Sequence, residues 1–374
     1  MPHKPLIILG TRGIPNQYGG FETFVEKFAP FMAERGWPIT VYCQADNLQK
    51  MIAQDQWQGV TRVHITPRIS KKLIDGAYGT ILFDCLAVLH ALFYYRKAVW
   101  MTMGYNTATL NILPRLFRIK QIINMDGMEW QRDKWSKFRK AYLYQSYFIA
   151  GDAATVLIAD HPEIEKELRR DFKNKKIEMI AYGSPEVLTA DNNLLQDFSV
   201  EKDGYCLIIA RPVPENGLLQ IIRTWSKTRG AMKLIVVGKY DEAEPYQKEI
   251  LSYASENIVF TGAIYDRKIL DALRLNCYGY FHGYTVGGTN PSLVEALATG
   301  AGIIAHDNRF NRWVAGEAGV YYKDEAELDQ IVRTIKSKTL PIDTMRINAR
   351  LRHQEAFKWQ PILEAYEQVV KSCC

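Results

Sequence analysis

Several features that mark whole classes of protein are missing from this 374-residue sequence. None of the six cysteines forms a C-x-x-C pair, and no cysteine–histidine cluster has zinc-site spacing, so we expect reduced, structural cysteines in a reducing compartment. No apolar run reaches the ~18 residues that a membrane-spanning helix needs, and the N-terminal apolar stretch is too short for a signal peptide. No D-x-D pair stands at a suitable place, so we predict no metal requirement.

Negative charge is scarce in the first half of the chain. Residues 1–185 contain 25 Lys and Arg against 17 Asp and Glu, a balance of +8, whereas the remaining residues contain 22 against 24. A basic half favours an anionic partner, either a membrane surface or a nucleic acid, unless the charge only solvates the surface. The sequence has no nucleic-acid recognition motif and no basic–aromatic repeat, so we expect an anionic membrane and no nucleic acid.

Short apolar runs alternate with helical patterns along most of the chain. The runs are PLIILG, PITVYC, VTRVHITP, QIINMDG and AATVLIAD in the first half, and GYCLIIAR, MKLIVVGKY, NIVFTGAI, CYGYFHGY and AGIIAHD in the second. Between the first two runs, residues 21–36 place apolar side chains on one stripe of a helix that ends at Gly36. Strands that alternate with helices form parallel sheets with both faces covered, so we predict two doubly wound α/β domains.

A glycine-rich turn follows the first predicted strand. In IILGTRGIPNQYGGFETFV the apolar run ends at Gly10, and the pair Gly19 and Gly20 precedes the helix. Ligands of doubly wound folds bind beyond the carboxyl ends of the strands, where glycines admit the ligand and a helix N-terminus favours negative charge. The spacing is not G-x-G-x-x-G, so a dinucleotide site is not supported, and a purely structural turn is an equal alternative.

The second half carries a stronger candidate anion site. Arg211 follows a buried strand in ARPVPENG, and its guanidinium can pair bidentately with phosphate. In FHGYTVGGTNPSLVEALATG, a glycine-rich loop leads to Asn290, a favoured helix cap, and to Pro291, which suits the first helical position. Glu295 lies just over one turn into that helix, where its carboxylate can accept hydrogen bonds from sugar hydroxyls.

These motifs resemble those of the retaining glycosyltransferases of family 4, which have the GT-B fold of two facing Rossmann-like domains with the active site in the cleft. ARPVPENG is similar to the family's phosphate motif G-R-L-x-x-x-K-G, and GGTNPSLVE is similar to its E-x(7)-E segment. GTRGIPNQYGGFETFVEKFA and NMDGMEWQRDKW look more particularly like the bacterial β-1,4-rhamnosyltransferase subgroup, which serves polysaccharide assembly. The resemblance covers nearly the whole chain.

The resemblance implies an enzyme without a cofactor that transfers L-rhamnose from dTDP-L-rhamnose to a lipid-linked saccharide in cell-surface polysaccharide synthesis. It implies a cytoplasmic protein that associates peripherally with the inner face of the bacterial cell membrane. Two alternatives remain. One is a hexosyltransferase of the same family that uses a UDP- or GDP-sugar, and the other is a catalytically inactive protein that binds a sugar nucleotide.

Three parts of the chain are expected, with the linker in the turn-rich YGSPEVLTADNN. Residues 1–185 form an N-terminal Rossmann-like domain that binds the acceptor. Residues 186–355 form a C-terminal Rossmann-like domain that binds the nucleotide sugar. Residues 356–374 form a C-terminal helix that packs back on the N-terminal domain.

The resemblance also assigns the residues that bind the donor. It places Arg211 and the amides around Ser292 at the pyrophosphate, Glu295 at the ribose, Gly19 and Gly20 at the wall of the cleft, and Gly262 and Ile264 at the base. The full donor-binding set is Gly19, Gly20, Arg211, Asn216, Gly262, Ile264, Asn290, Pro291, Ser292, Leu293 and Glu295.

Two positions depart from the family pattern. Gly287 replaces the first Glu of E-x(7)-E, and Asn216 replaces the phosphate-binding Lys. A deoxy sugar such as rhamnose lacks the 6-hydroxyl, which is compatible with a lost polar contact. Arg12 or Lys239 are candidates to supply the missing positive charge.

Asp126 is predicted to be catalytic together with Arg211 and Glu295. It follows the strand QIIN and precedes Gly127, so its carboxylate can orient the attacking hydroxyl and accept its proton, or hold a donor hydroxyl. The alternative is that it only caps a turn.

Other candidates are weaker. Arg132 and Lys134 are interleaved with tryptophans and are predicted to face the acceptor or lipid headgroups, with a solvated helix face as the alternative. His282 stays undecided between a core residue and a catalyst. The apolar stripes at residues 82–100 are expected to be mostly core.

Overall fold

The computed structural model describes residues 3–16, 19–45, 50–67, 77–132, 135–228 and 230–374. The chain divides into two units. Unit 1 comprises Met1–Ala181 and Gln360–Cys374, and unit 2 comprises Tyr182–Trp359. The chain thus changes unit at 181/182 and 359/360, a few residues from the expected boundaries at 185/186 and 355/356.

Unit 1 contains an eight-stranded sheet with the order β3-β4-β2-β1-β5-β6-β7-β8. Neighbouring strands are parallel except for β3 and β4, which are antiparallel. The strands are β1 (Leu6–Leu9), β2 (Ile39–Gln44), β3 (Ile52–Trp57), β4 (Val60–Ile65), β5 (Val99–Met103), β6 (Gln121–Asn124), β7 (Val156–Ala159) and β8 (Lys176–Met179).

The described residues of unit 1 form six α-helices, the last of which lies at the C-terminal end of the sequence. They are α1 (Gly20–Glu34), α2 (Ala77–Tyr94), α3 (Ile112–Leu116), α4 (Lys137–Ala153), α5 (Pro162–Asp171) and α13 (Trp359–Ser372). The ring of Tyr366 on α13 packs 4.4 Å from the ring of Phe24 on α1, centroid to centroid. Trp37 Nε1 donates a hydrogen bond of 3.3 Å to Glu367 Oε1 on the same helix. The C-terminal helix is therefore a structural part of unit 1.

Unit 2 contains a six-stranded, fully parallel sheet with the order β11-β10-β9-β12-β13-β14. The strands are β9 (Tyr205–Ile209), β10 (Lys233–Val237), β11 (Ile258–Gly262), β12 (Gly279–His282), β13 (Ile303–His306) and β14 (Gly319–Tyr322). The helices are α6 (Leu218–Lys227), α7 (Pro245–Leu251), α8 (Arg267–Asn276), α9 (Pro291–Ala298), α10 (Arg309–Ala315), α11 (Glu325–Lys336) and α12 (Ile342–Ala356).

The strand order of unit 2 is that of a Rossmann domain, 3-2-1-4-5-6. The inner strands of unit 1 repeat it, with β3 added as an antiparallel edge. Central strands such as β1 and β12 are wholly buried, because parallel strands are covered by helices on both faces. The predicted fold, two Rossmann-like doubly wound domains, is confirmed.

All ten strands predicted from the sequence are present, and four others are not predicted. These four are β3, β5, β8 and β14. The edge strand β3 is largely exposed and β8 is half polar, so neither has the apolar run from which the other strands are predicted. β5 follows the apolar α2 after only four residues, so its pattern merges with that of the helix.

Candidate functional site

In unit 2, the strand order reverses between β9 and β12, and ligands of doubly wound domains bind at such a point. The loops after these two strands meet backbone to backbone. Gly217 adopts a positive φ of 68°, and a Cβ there would lie 2.5 Å from the carbonyl oxygen of Gly283. Thr285 N donates a hydrogen bond of 2.9 Å to Glu215 O, which joins the loops again. The loops that carry the two predicted motifs therefore form one connected surface.

Arg211 lies on the first of these loops and is exposed. Its guanidinium has no carboxylate within 4 Å in the described part of the chain. The buried side chain of Asn216, only 2% exposed, donates a hydrogen bond of 2.8 Å from Nδ2 to Arg211 O. Asn216 is predicted to contact the donor, and in the structure its Nδ2 holds the backbone that presents Arg211.

The second loop ends at the N-terminus of α9, where Asn290 is the helix cap. Asn290 Oδ1 accepts a hydrogen bond of 3.0 Å from Ser292 N, and Asn290 O accepts one of 3.1 Å from Leu293 N. Ser292 Oγ contacts Tyr280 Oη and donates to Ile209 O at 3.1 Å. The amides of Ser292 and Leu293, predicted to bind phosphate, thus already have acceptors within the chain, and Pro291 has no N–H. In this conformation they are not open donors, unlike the exposed Arg211.

Glu295 on α9 belongs to a buried ionic cluster. Its Oε2 lies 2.5 Å from Nη2 of Arg274, whose side chain is almost fully buried on α8. Arg274 also lies 3.5 Å from Asp271, whose pKa is raised by burial. Arg274 fixes the carboxylate of Glu295 and leaves Oε1 as the oxygen that can face a ligand. Arg274 was not predicted from the sequence, where its only signal is an arginine among the apolar positions of an amphipathic helix.

Three further predicted positions lie near this edge of the unit 2 sheet. Gly262 ends β11 with a φ of +74°, its carbonyl oxygen accepts from Gly238 N at 3.1 Å, and Ile264 follows it half-buried. Lys239, an alternative source of positive charge, follows β10 and is exposed. At Gly287 a Cβ would meet no atom within 4 Å, so the family's carboxylate could be accommodated there.

His282 ends β12 and is completely buried. Its ring stacks on Tyr284, with centroids 4.3 Å apart and an interplanar angle of 2°. Burial lowers its pKa to about 3, so the ring is neutral at physiological pH. These features favour a core histidine over a catalyst.

The glycine-rich turn of unit 1 has two different kinds of glycine. Gly10 has a φ of +79°, and a Cβ there would collide with Met103 O at the end of β5, so this glycine is structurally required. Gly19 and Gly20 have no positive φ, and a Cβ on Gly19 would meet only Glu22 Oε2, at 3.5 Å. The backbone does not need glycine at these two positions, which fits their predicted role of leaving room for a ligand.

Glu22, in the first turn of α1, supports the loop that follows β1. Its side chain is buried, and its Oε1 accepts a hydrogen bond of 2.9 Å from Arg12 N. A negative charge in the first turn interacts favourably with the positive end of a helix. The anion site considered from the sequence stays a prediction for this turn, with one carboxylate of the chain already beside it.

Asp126 lies two residues beyond the end of β6, with a φ of +48°. Asn124 supports it, because Asn124 Oδ1 accepts a hydrogen bond of 3.0 Å from Asp126 N. Asn124 Nδ2 in turn donates a hydrogen bond of 3.0 Å to Tyr366 Oη on α13. Left-handed backbone outside glycine is often retained at functional sites. Neither Asn124 nor Tyr366 was predicted from the sequence to support Asp126.

The loop after Asp126 is held by buried polar contacts. Tyr105 Oη donates to Gly127 O at 2.8 Å and accepts from Glu129 N at 2.9 Å. The Glu129 carboxylate lies 2.6 Å from Arg132 Nε and accepts from Trp135 Nε1 at 3.2 Å. Arg132, predicted to face the acceptor or lipid, is thus paired with a buried carboxylate. Lys134 lies outside the described residues.

Two further features of the described residues concern metal binding and membrane crossing. No three His, Cys, Asp or Glu side chains in those ranges are grouped as a metal site would require. Among the helices that the structure describes, none combines the length and the apolar character needed to cross a membrane.

Comparison with known families matches the two units separately. Residues 192–338, most of unit 2, match the family model of glycosyl transferases group 1. Residues 3–185 match a family described as a domain of unknown function, DUF1972. The chain is also similar to an uncharacterized glycosyltransferase of Methanocaldococcus jannaschii, with 23% identity over 392 residues and 97% of each chain covered.

Solved structures share the fold over the whole chain. A sucrose-phosphate synthase from Thermosynechococcus elongatus matches with a TM-score of 0.81, 16% identity and 99% of each chain covered. HepE of Anabaena, in complex with UDP, matches with a TM-score of 0.72, 15% identity, and 99% of this chain and 100% of that one covered. A UDP-forming trehalose-phosphate synthase from Burkholderia xenovorans matches with a TM-score of 0.72 and 10% identity over 98% of this chain and 100% of that one. Unit 2 thus contains a domain that matches the glycosyl transferases group 1 family, and the chain has the fold of GT-B glycosyltransferase structures.

Proposed function

We propose that the protein transfers L-rhamnose from dTDP-L-rhamnose to a lipid-linked saccharide, with retention of configuration. The observation that carries the proposal is Arg211, an exposed guanidinium presented by buried Asn216 where the strand order of the group 1 domain reverses. Two structural neighbours have UDP in their names, one as a product and one as a bound ligand. This supports the binding of a nucleoside diphosphate by a protein of this fold. The sugar itself rests on the resemblance of the N-terminal motifs.

The reaction breaks the bond between the sugar C1 and the β-phosphate oxygen, and forms a bond from C1 to the acceptor oxygen on the same face. Negative charge develops on the departing β-phosphate, and a preorganised guanidinium at Arg211 stabilises it. The acceptor proton passes to the departing phosphate or to Asp126, which orients the attacking hydroxyl. No covalent bond to the enzyme is needed.

The geometry of Glu295 fits a deoxyribonucleotide. Its Oε2 is engaged by Arg274 at 2.5 Å, so Oε1 is the oxygen left for a sugar hydroxyl. A 2′-deoxyribose offers one free hydroxyl beside the phosphorylated position, whereas a ribose offers two. A carboxylate whose Oε1 remains available is sufficient for the single 3′-hydroxyl of dTDP, which fits the proposed donor.

A donor screen tests the proposal. Release of the nucleoside diphosphate is measured for dTDP-L-rhamnose, UDP-hexoses and GDP-hexoses, each with and without lipid-linked acceptor. We expect acceptor-dependent release from dTDP-L-rhamnose alone. Release from a UDP- or GDP-sugar instead would establish the alternative donor, and calorimetric binding without release from any donor would establish an inactive binding protein.

A second measurement isolates the nucleotide. We expect dUDP to bind at least as tightly as UDP, because the two differ only in the 2′-hydroxyl. Arg274→Met should raise the affinity for UDP relative to dUDP by freeing the second oxygen of Glu295, whereas Arg267→Met, which removes the exposed partner of Asp271, serves as the control. Tenfold tighter binding of UDP than dUDP by the wild-type protein would contradict the assignment.

A membrane-bound acceptor requires the protein to work at a lipid surface. We propose peripheral association with the anionic, cytoplasmic face of the cell membrane. The support is the +8 balance of residues 1–185 against the slightly negative remainder. Basic residues near such a surface contribute about 1 kcal/mol each to binding.

A further inference from the structure

Helix α2 is apolar on nearly its whole circumference. Its inner face packs into the core of unit 1 through side chains such as Phe83, Ala87 and Ala91. Asp84 is its one charged residue, and this residue points inward, where its Oδ2 accepts a hydrogen bond of 2.8 Å from Thr107 Oγ1. Burial raises the pKa of Asp84 to about 6. The outer face of α2 consequently carries no charge.

That outer face is an exposed apolar stripe. Tyr78 is 75% exposed and Phe93 is 77% exposed, and Ile81 and Leu89 between them are about half exposed. Spacings of three, eight and four residues place the four side chains on one side of a helix with about 3.6 residues per turn. The stripe is about 22 Å long at the helical rise per residue. Most apolar residues between 82 and 100 are core, as expected, and Leu89 and Phe93 are exceptions.

A cluster of exposed basic residues adjoins the end of this stripe. It lies on the segment after α2 and on the end of α3, together with the exposed apolar side chains of Leu116 and Phe117. The guanidinium of Arg96 lies 4.7 Å from the ring centroid of Phe117, which joins the two segments. None of the cluster has a carboxylate within 4 Å in the described ranges. The basic residues are Arg96, Lys97, Arg115, Arg118 and Lys120.

We propose that the stripe and the basic cluster together form a docking surface for an anionic lipid bilayer, with α2 lying in the plane of the interface. An apolar helix face buries into the boundary between headgroups and acyl chains, and adjacent basic residues attract anionic headgroups. Exposed contiguous apolar surface of this kind marks an interaction site. The unpaired cations select an anionic occupant, and a twofold contact between copies of the chain would bring the same cations together.

The position of the surface suits a lipid-linked acceptor, and this part of the inference rests on the proposed function. α2 leads into the amino end of β5. The basic cluster therefore lies at the amino edge of the sheet, opposite to the carboxyl ends of the strands. Asp126 lies beyond the carboxyl end of β6, the parallel neighbour of β5. Docking through α2 and the basic cluster therefore does not use the carboxyl edge of the sheet, beyond which Asp126 would meet the saccharide of a membrane-bound acceptor.

Liposome flotation tests the proposal with the full-length protein. Wild type should float with vesicles of phosphatidylcholine containing 30% phosphatidylglycerol, should bind pure phosphatidylcholine at least tenfold more weakly, and should lose binding as salt rises. Leu89→Ser/Phe93→Ser should weaken binding at least tenfold, because two large apolar side chains no longer enter the lipid. Arg115→Glu/Arg118→Glu should also weaken binding at least tenfold, because the new carboxylates are repelled by the anionic headgroups.

The matched control is Ile347→Ser/Leu351→Ser on α12 of unit 2, where the two side chains are 61% and 58% exposed. It should bind anionic vesicles like wild type. Equal binding to neutral vesicles, or unchanged binding by both docking-surface variants, would overturn the proposal. If sedimentation shows that the wild-type protein is a dimer and the variants are not, the surface binds a second copy of the chain. That result would also overturn the proposal.

One readout separates this inference from the proposed function. Turnover on a water-soluble acceptor with a short lipid should stay at the wild-type level in both docking-surface variants, whereas turnover on vesicle-bound acceptor should fall. Absent turnover on either acceptor, with flotation intact, would refute the enzymatic proposal while leaving the docking surface in place.

Discussion

The two units build the same turn but present different charged groups beside it. In each, the loop after the first strand of the Rossmann order meets the fourth strand or the loop beyond it at a glycine, Gly10 with Met103 in unit 1 and Gly217 with Gly283 in unit 2. In unit 2 this turn presents the exposed cation Arg211. In unit 1 Arg12 is half-buried, and its backbone N–H donates a hydrogen bond to the carboxylate of Glu22.

This local difference runs against the overall charge of each half. Residues 1–185 carry the positive balance of +8, yet their candidate catalytic group beyond the strand ends is the carboxylate of Asp126. The remainder is slightly negative, yet its site presents a guanidinium. The overall charge therefore indicates what the outer surface can attract, whereas the few side chains at the strand ends indicate which ligand the site can bind. A shared topology provides a position for chemistry without determining which chemistry it is.

The largest effect is expected at the cation of unit 2. Arg211→Ala should lower turnover by about 10²- to 10³-fold, or ~2–4 kcal/mol, because a preorganised charge no longer faces the developing phosphate charge. Steady-state release of nucleoside diphosphate measures it. Arg333→Ala, which removes an exposed arginine paired with Asp329, is the control and should leave turnover unchanged. Turnover of Arg211→Ala within tenfold of wild type would contradict this role.

The carboxylate of unit 1 should give the next largest effect. Asp126→Asn should lower turnover by ~10²-fold because a hydrogen-bond acceptor for the attacking hydroxyl loses its charge. Nucleotide affinity should stay constant, and the fold should be kept because asparagine tolerates the left-handed backbone at φ +48°. Asp203→Asn, another aspartate with positive φ, controls for the backbone. Near-normal turnover would show that Asp126 only shapes its turn.

Glycines in and beside the unit 2 turn should differ in stability. Gly217→Ala should lower the free energy of unfolding by ~1–3 kcal/mol, because the new Cβ meets a carbonyl oxygen at a positive φ. Gly287→Ala should change it by less than ~0.5 kcal/mol, since open space surrounds that position. Urea denaturation compares the two. Equal losses would mean that the contact between the loops is not tight.

The smallest effect is expected where the C-terminal helix supports the unit 1 site. Tyr366→Phe removes the acceptor of the hydrogen bond from Asn124, which costs about 0.5–1.5 kcal/mol. Turnover should fall a few-fold because Asn124 holds the Asp126 amide, while nucleotide affinity should not change. Tyr322→Phe, a buried tyrosine of unit 2, controls for the loss of a buried hydroxyl. An unchanged turnover, with stability lowered, would limit Tyr366 to a structural role.

Much of the fold was readable from periodicity. Ten of the strands appear as apolar runs bounded by turn residues, because buried parallel strands contain almost only apolar side chains. The others escaped for physical reasons: β3 is an exposed edge with mixed polarity, and β5 continues the apolar pattern of α2. Exposure of Leu89 and Phe93 was also unreadable, since an apolar residue looks the same whether it faces the core or a partner.

The candidate site was only partly readable. Arg211 and Glu295 could be singled out because they follow turn and cap signals in the sequence. Arg274, Asn124 and Tyr366 could not, because each acts through a contact with a residue distant in the chain. For the same reason, the occupied amides of Ser292 and Leu293 became visible only with the Asn290 cap in place.

The sequence by itself determined the two α/β domains, the glycine-rich turns, the Arg211 and Glu295 motifs and the charge difference between the halves, because these depend on local order and composition. Only the tertiary structure decided which strands lie beside each other, that Asn216 holds the Arg211 loop, that Arg274 takes one oxygen of Glu295, and that α2 faces outward with an apolar stripe. Most of these features depend on contacts between residues that are distant in the sequence, and even the contact of Asn216 with Arg211, only five positions apart, depends on how the loop folds. Such contacts are determined by the close packing of the whole chain, which no single segment of the sequence shows.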